Sequence, residues 1–278
     1  MAINPISKRA TSDSVASQRR CSEMRRRILD ISQSLPALHI APAFSCLEII
    51  DAIYFGLMRR EDETDDPDTF ILSKGHGAMA QYTVLEKLGV LTQEDLDNCG
   101  KPGGKLGMHP DYGLPGIEAS TGSLGHGLPL SLGMAYADKV AGIERVIYVV
   151  LSDGEMQEGS NWEALMLAPS LGLKNIVAVV DLNDGVSLGN ISAIHPNFYP
   201  LLDKIEAFGW DAVEIDGHDQ QAIIDAITSR SGRKPLVVIA KTTKGKGVSY
   251  MENESIWHYR KPSPEEYQIA LDELAGNQ

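Results

Sequence analysis

The chain reads as an α/β domain, a parallel sheet with helices on both faces. Three observations predict it. From residue 127 onward, apolar runs of strand length alternate with segments of helical spacing, the signature of parallel strands joined by crossover helices. One such run, Val146-Ile147-Tyr148-Val149-Val150, is apolar throughout and reads as a buried strand. The residues best suited to chemistry follow the strands, and ligands of such sheets sit outside the carboxyl ends of the strands.

The elements follow in order. Residues 1–20 are polar, have no apolar signal core, and are expected to form a flexible tail. Helices are predicted over about 22–34 and 45–58, the second with its apolar residues on one face. The acidic stretch at 61–68 reads as a solvated turn. A short strand at 69–73 precedes a helix at 78–89. The Gly-rich passage 100–127 fits no regular element, and 127–141 has helical spacing. Strands are then expected at 146–151, 175–181, 210–215 and 235–240, with helices near 160–171, 199–208 and 219–230 between them. Trp162, Leu165, Met166 and Leu171 fall at helical spacing and read as core or subunit contact, and Pro169 is placed to kink that helix.

The 278 residues suffice for one large α/β domain, and a hydrophobic share of 43% supports a packed core. A net charge of -13 argues against nucleic acid or an anionic membrane as partner. No apolar run reaches the ~18 residues of a membrane span. Cys21, Cys46 and Cys99 show no CxxC spacing, as expected for reduced thiols in the cytoplasm.

Two strands end in oxygen ligands thirty residues apart, Asp153 in "SDG" and Asn183 in "DLNDG". Neighbouring loops of a parallel sheet would bring both to one spot, where a carboxylate and an amide oxygen suit a hard cation such as Mg²⁺. Gly154 allows close backbone approach to a phosphate at a helix start. Asp-Gly and Asn-Asp-Gly are also common turn sequences, so spacing alone leaves both readings open.

The pattern resembles the thiamine diphosphate motif. "SKGHG" (73–77), "MHPD" (108–111), "STGSLGHGL" (120–128), "DGEMQEGSNWEA" (153–164) and "KTTKGKG" (241–247) are similar, in order, to segments of the N-terminal, diphosphate-binding part of transketolases. The matches run along the chain from about residue 20, so 21–278 is expected to be a single thiamine-diphosphate-binding domain of the PP type.

The resemblance implies roles residue by residue. Asp153, Asn183 and the carbonyl of Gly185 would ligate Mg²⁺ or Ca²⁺. His76 and His258 align with diphosphate-contacting histidines, and Gly122, Ser123 and Leu124 with the stretch that cradles the cofactor's rings. Gly154 would stand at the diphosphate. His39, His109 and His258 would be the catalytic histidines, with His39 and His109 facing the donor ketose. Imidazoles suit that place because histidine titrates near neutrality. Glu158 and Glu163 align with acids at the interface between two active sites, Glu158 being counted with the cofactor residues. His126 fills a slot held by Gln or His, while His195 and His218 read as loop or surface residues. Glu155 reads as a helix-start acid favourable to the helix dipole. The lysines of "KTTKGKG" read equally as phosphate binders or as a solvated loop.

Two departures stand out: Ser152 replaces the usual first Gly of the metal motif, and "LHIAP" (38–42) replaces a Gly-rich segment near the substrate, which leaves the donor open. The family's catalytic glutamate comes from a pyrimidine-binding domain for which 278 residues leave no room. The resemblance therefore implies a split, heterotetrameric (α2β2) transketolase whose partner subunit supplies that domain, acting on ketose and aldose substrates. The α-type subunit of a 2-oxo acid dehydrogenase or decarboxylase shares the metal motif, and a non-catalytic homologue is the third reading.

Overall fold

The computed structural model describes residues 14–60, 63–187 and 189–276. Helix α1 (Ser14–Gln33) opens the chain, followed by α2 (Ile40–Ser45), α3 (Leu47–Asp51) and a π-helical turn, Ala52–Leu57. Next come β1 (Thr69–Leu72), α4 (Ala78–Lys87), α5 (Gln93–Asp97) and α6 (Gly127–Ala141). The second half alternates: β2 (Ile147–Ser152), α7 (Gly159–Ser170), β3 (Ile176–Leu182), the hairpin strands β4 (Gly185–Val186) and β5 (Gly189–Asn190), α8 (Ile191–Ile194), α9 (Leu201–Ala207), β6 (Asp211–Asp216), α10 (Gln220–Thr228), β7 (Leu236–Lys241) and α11 (Pro264–Gly276).

The main sheet runs β1-β2-β3-β7-β6, with every pair parallel. Successive side chains of a strand face opposite sides, so each central strand feeds two cores. Tyr148, Val150, Val177, Val179 and Val238 join the core formed with α1–α4 and α10. Ile147, Val149, Leu151, Ile176 and Val180 join the one under α6, α7 and α9. Burial of a Val or Ile side chain contributes ~1.5–3 kcal/mol, so a sheet covered on both faces favours the unbroken apolar runs seen in the sequence. The register aligns Leu72 with Val150, Ser152 with Asp181 and Leu182 with Lys241, which brings the strand ends and their loops to one edge.

Several expectations are corrected. Residues 14–20 are helical instead of forming a tail, because Ser17 and Arg20 both bond the buried Asp51 carboxylate. Residues 1–13 of the expected tail lie outside the described residues. The helix expected over 45–58 is three short pieces beginning at Ile40. In the acidic stretch, Glu61 and Asp62 lie outside the described residues, while Asp68 is buried, paired with Arg59 and accepting from the Val146 amide at 2.8 Å. Helices α5 and α11 were not expected. Thr92 and Asp95 form a capping box that starts α5, and its short apolar content hid it.

Candidate active site

The site grows from the ends of β1, β2, β3 and β7. Beyond β1, the amides of Ser73 and Lys74 both donate to the Val150 carbonyl, at 2.9 and 3.2 Å, which turns the Lys74 side chain inward. Lys74 is buried and its ammonium bonds Asp181, the Pro42 carbonyl (2.9 Å) and Ser45. Asp181 also accepts from Ser45 Oγ at 2.6 Å and from the Thr242 hydroxyl. Burial alone would raise the Asp181 carboxyl, but the Lys74 charge and these hydrogen bonds hold it below the usual range. This pair ties β3 and the loops after β1 and β7 to α2.

Asp153, at the end of β2, is fully buried. Its Oδ1 accepts from the Gly154 amide at 2.8 Å; its Oδ2 accepts from the amides of Asn183 (3.0 Å) and Asp184 (2.5 Å) and from Tyr199 Oη (3.2 Å). Burial and the neighbouring Asp181 charge push it up to about 6, against those hydrogen bonds. Asn183 Oδ1 accepts from the Gly185 amide at 3.1 Å, and the Gly185 carbonyl accepts from Lys244 Nζ at 3.1 Å. The two loops thus meet where spacing suggested: one carboxylate, one amide oxygen and one carbonyl gather, the oxygen set a hard cation takes when phosphate and water complete the shell.

Glu155 stands in the first turn of a short 3-10 helix, Glu155–Gln157, as expected of a helix-start acid. It is fully buried, and its carboxylate accepts from Ser73 Oγ (2.5 Å) and the Gly125 amide (2.9 Å), so it clasps the loop 120–127 and does not face solvent. Burial raises its pKa, opposed by these donors. Ser152 is accommodated: its Oγ accepts from the Glu155 amide at 3.1 Å. In "LHIAP", Ile40 and Ala41 are wholly buried in the core, so this departure puts only His39 and Pro42 on the cavity wall.

The cavity above these groups measures about 290 Å³. His39, His76, His109 and His258 stand on its wall with ring centroids 5.3–5.8 Å apart where they neighbour one another. Burial, then the other imidazoles and Lys244, lower His39 to about 4. Burial, Lys244 and Lys74 lower His258 to about 4, and burial with Lys74 holds His76 well below the ordinary histidine value. These three rings are therefore neutral at pH 7. His39 Nδ1 and His258 Nδ1 are buried and lack a partner among the described residues, a cost that a polar ligand would remove. Gly122 has φ +123° and a Cβ there would lie 2.7 Å from His109 Cδ2, so glycine lets this loop close against the ring.

Gly122, Leu124, Gly154, Asn183 and Gly185 also line the cavity. Ser123 and Glu158 are exposed and lie outside the lining, because Glu158 turns outward as the N-cap of α7. Glu163 is exposed on α7; His126 is exposed, and its ring bonds the Ser123 and Leu124 carbonyls of its own turn. Sequence reasoning missed Lys74, Asp181 and Tyr199, and left Lys244 undecided. Lys244 is 3% exposed, lines the cavity and is lowered to about 8 by burial and by Lys74. Its strand-end position was the available signal. His218, read as a loop or surface residue, stands in the turn after β6 and is largely buried, at 14% side-chain exposure, bonding Glu48.

Residues 17–261 match the family described as transketolase, thiamine diphosphate binding domain. An apulose-4-phosphate transketolase subunit from Phocaeicola vulgatus is 39% identical over 90% of this chain and 91% of its own. A 6-deoxy-6-sulfo-D-fructose transketolase subunit from a Clostridium species is 35% identical over 92% and 95%. Among solved structures, transketolase from Campylobacter jejuni superposes with TM-score 0.85 at 27% identity, and that from Leishmania mexicana with 0.84 at 25%. The superpositions take in 93% of this chain in both cases but only 42% and 41% of those longer proteins. Among the described residues, no helix is long and apolar enough to cross a membrane.

Proposed function

The chain belongs to the transketolase family, as its thiamine diphosphate binding part, and from that premise we propose that it is the N-terminal subunit of a split transketolase. The enzyme moves a two-carbon ketol unit from a ketose to an aldehyde. The observation that carries this reading is the cluster of four histidine rings, two with buried nitrogens unpartnered among the described residues, above the Asp153–Asn183–Gly185 oxygen set.

Those groups fit thiamine diphosphate and Mg²⁺. Asp153, Asn183 and the Gly185 carbonyl would hold the metal, and Lys244, His76 and His258 the diphosphate, with Gly154 beside it. Gly122 and Leu124 would face the cofactor's rings. When bound, the cofactor supplies a nucleophilic carbon that allows the C2–C3 bond of the ketose to break. The chain's own residues bind, orient and move protons. His39, His109 and His258 would hydrogen-bond the donor's hydroxyl and carbonyl oxygens. Neutral His39 and His258 can each accept a proton at the free nitrogen, which a charged ring could not. Burial of these rings keeps them neutral at working pH.

The relatives named as transketolase subunits support a partner chain, which would bring the pyrimidine pocket and the catalytic glutamate in an α2β2 assembly. Leu130 and Tyr136 on α6 and Met166 and Leu167 on α7 are each more than 40% exposed, an apolar surface suited to that partner. The two relatives' differing substrates leave open whether the donor is a sugar phosphate or another anionic ketose. The test mixes the chain with its partner subunit, thiamine diphosphate and Mg²⁺ and supplies ketose donors with an aldose acceptor. Ketol transfer that needs both subunits is expected; its absence with every ketose donor refutes the reading.

A further inference from the structure

We infer that His218 is a positioning residue for Lys244, holding the loop 241–247 against the cavity through a hydrogen bond to the Thr243 amide. The inference rests on the reading that this cavity takes thiamine diphosphate. His218 lies after β6, and its side chain crosses to two other elements. Its Nδ1 is 3.0 Å from Glu48 Oε2, and its Nε2 is 2.8 Å from the Thr243 backbone nitrogen.

The chemistry at both ends fixes one tautomer. Glu48 is buried and ion-paired with Arg25, at 2.7 Å to Oε1 and 2.8 Å to Oε2, and is held down to about 2 by Arg25 and His218 despite its burial. A carboxylate only accepts, so Nδ1 must carry the hydrogen. The Thr243 amide only donates, so Nε2 must present its lone pair. Arg25, Glu48, His218 and the Thr243 amide form one line from α1 through α3 to the loop after β7.

That loop is anchored amide by amide. Thr242 N–H donates to the Leu182 carbonyl at 2.8 Å, Thr243 N–H to His218, and Gly245 N–H to the Ala41 carbonyl at 3.1 Å. Between the last two stands Lys244, whose buried ammonium reaches the Gly185 and Val186 carbonyls at 3.1 and 3.3 Å on the cavity wall. Without an acceptor for Thr243, the residue next to Lys244 loses its hold, and a part-buried donor is left to seek water.

Two substitutions separate the two ends of the ring. In His218→Asn, the amide nitrogen stands near the place of Nδ1 and still donates to Glu48, but nothing accepts from Thr243. In His218→Gln, the amide oxygen reaches the place of Nε2 and accepts from Thr243, while the donor to Glu48 is lost. Thiamine diphosphate with Mg²⁺ is titrated calorimetrically into each full chain mixed with its partner subunit, and cofactor-dependent kinetics are recorded. His218→Asn is expected to weaken cofactor binding about five- to tenfold, the worth of one backbone hydrogen bond, and to raise the apparent KM for cofactor far more than it lowers kcat. His218→Gln is expected to bind as the wild type does. A merely structural role through Glu48 predicts the reverse order. Asparagine binding like wild type, or glutamine failing as asparagine does, overturns the inference. Nitrogen-15 spectra of histidine-labelled wild-type chain give an independent test, even if a variant fails to fold: a proton on Nε2 refutes it, and a proton on Nδ1 supports it. If wild type binds no cofactor, the proposed function falls, while these spectra still judge the His218 geometry.

Discussion

Replacing Lys74 by Met should be among the most damaging single changes in the chain. Lys74 and Asp181 are 1% and 0% exposed, and their side chains bond directly. Removing the ammonium leaves the Asp181 charge buried with only Ser45 and Thr242 hydroxyls and the Asn183 amide as donors. Breaking a buried pair from one side typically costs about 3–5 kcal/mol, a large part of the ~5–15 kcal/mol that holds a domain folded. Urea unfolding at pH 7, compared at a common m-value, reads this as a lowered midpoint. The sign of the pH dependence follows from the pair. In wild type Asp181 sits below the usual carboxylate range, so its contribution is present above its unfolded value and is lost only as pH falls through the depressed folded one. In Lys74→Met, uncompensated burial raises the Asp181 carboxyl, so it takes up a proton on acidification and the deficit shrinks from pH 7 toward pH 5. The double variant Lys74→Met/Asp181→Asn removes both charges and should cost less than the sum of its parts, by about 2 kcal/mol. A Lys74→Met chain within about 1 kcal/mol of wild type, or strict additivity in the double variant, would refute the reasoning.

Two further predictions concern the same edge of the sheet. Glu155→Ala strips the acceptor from the Ser73 hydroxyl and the Gly125 amide, so urea unfolding should show a loss of about 1–3 kcal/mol for each donor left buried; Glu155→Gln, which keeps an acceptor oxygen, should lose less. Stability should fall on acidification from the ordinary histidine value of 6.5 toward about 4, because the depressed folded values of three histidines, His39, His76 and His258, outweigh the opposite contribution of Asp153, raised to about 6, so the unfolded chain binds more protons in that window. Thermal unfolding at pH 7, 6 and 5 checks it, and His39→Gln with His258→Gln should flatten the slope.

The sheet was legible because its physics is periodic. Runs such as "IVAVVDL" satisfy a strand covered on both faces, and β2, β3, β6 and β7 fall within a residue or so of their expected places. What the sequence concealed depends on partners distant in the chain. Glu155 read as a helix-start acid and no more because nothing local reveals Ser73, 82 residues earlier, donating to it. Asp181 is one letter in an apolar run, and only the fold brings Lys74 to it across 107 residues. His218 read as a loop or surface residue for the same reason, since its partner Glu48 lies 170 residues away. Asp153 and Asn183, by contrast, end adjacent parallel strands, so their meeting followed from topology alone. Helix α1 began earlier than expected because Ser17 and Arg20 are polar letters whose anchor, Asp51, is buried.

The central claim, that this chain holds thiamine diphosphate through a metal at the ends of β2 and β3, is tested most directly by calorimetry. Thiamine diphosphate is titrated into the chain mixed with its partner subunit, with and without Mg²⁺, for wild type and Asp153→Ala. Saturable binding that needs Mg²⁺ in wild type and is lost in Asp153→Ala is predicted. No binding in wild type, or binding to Asp153→Ala as tight as to wild type, would contradict it.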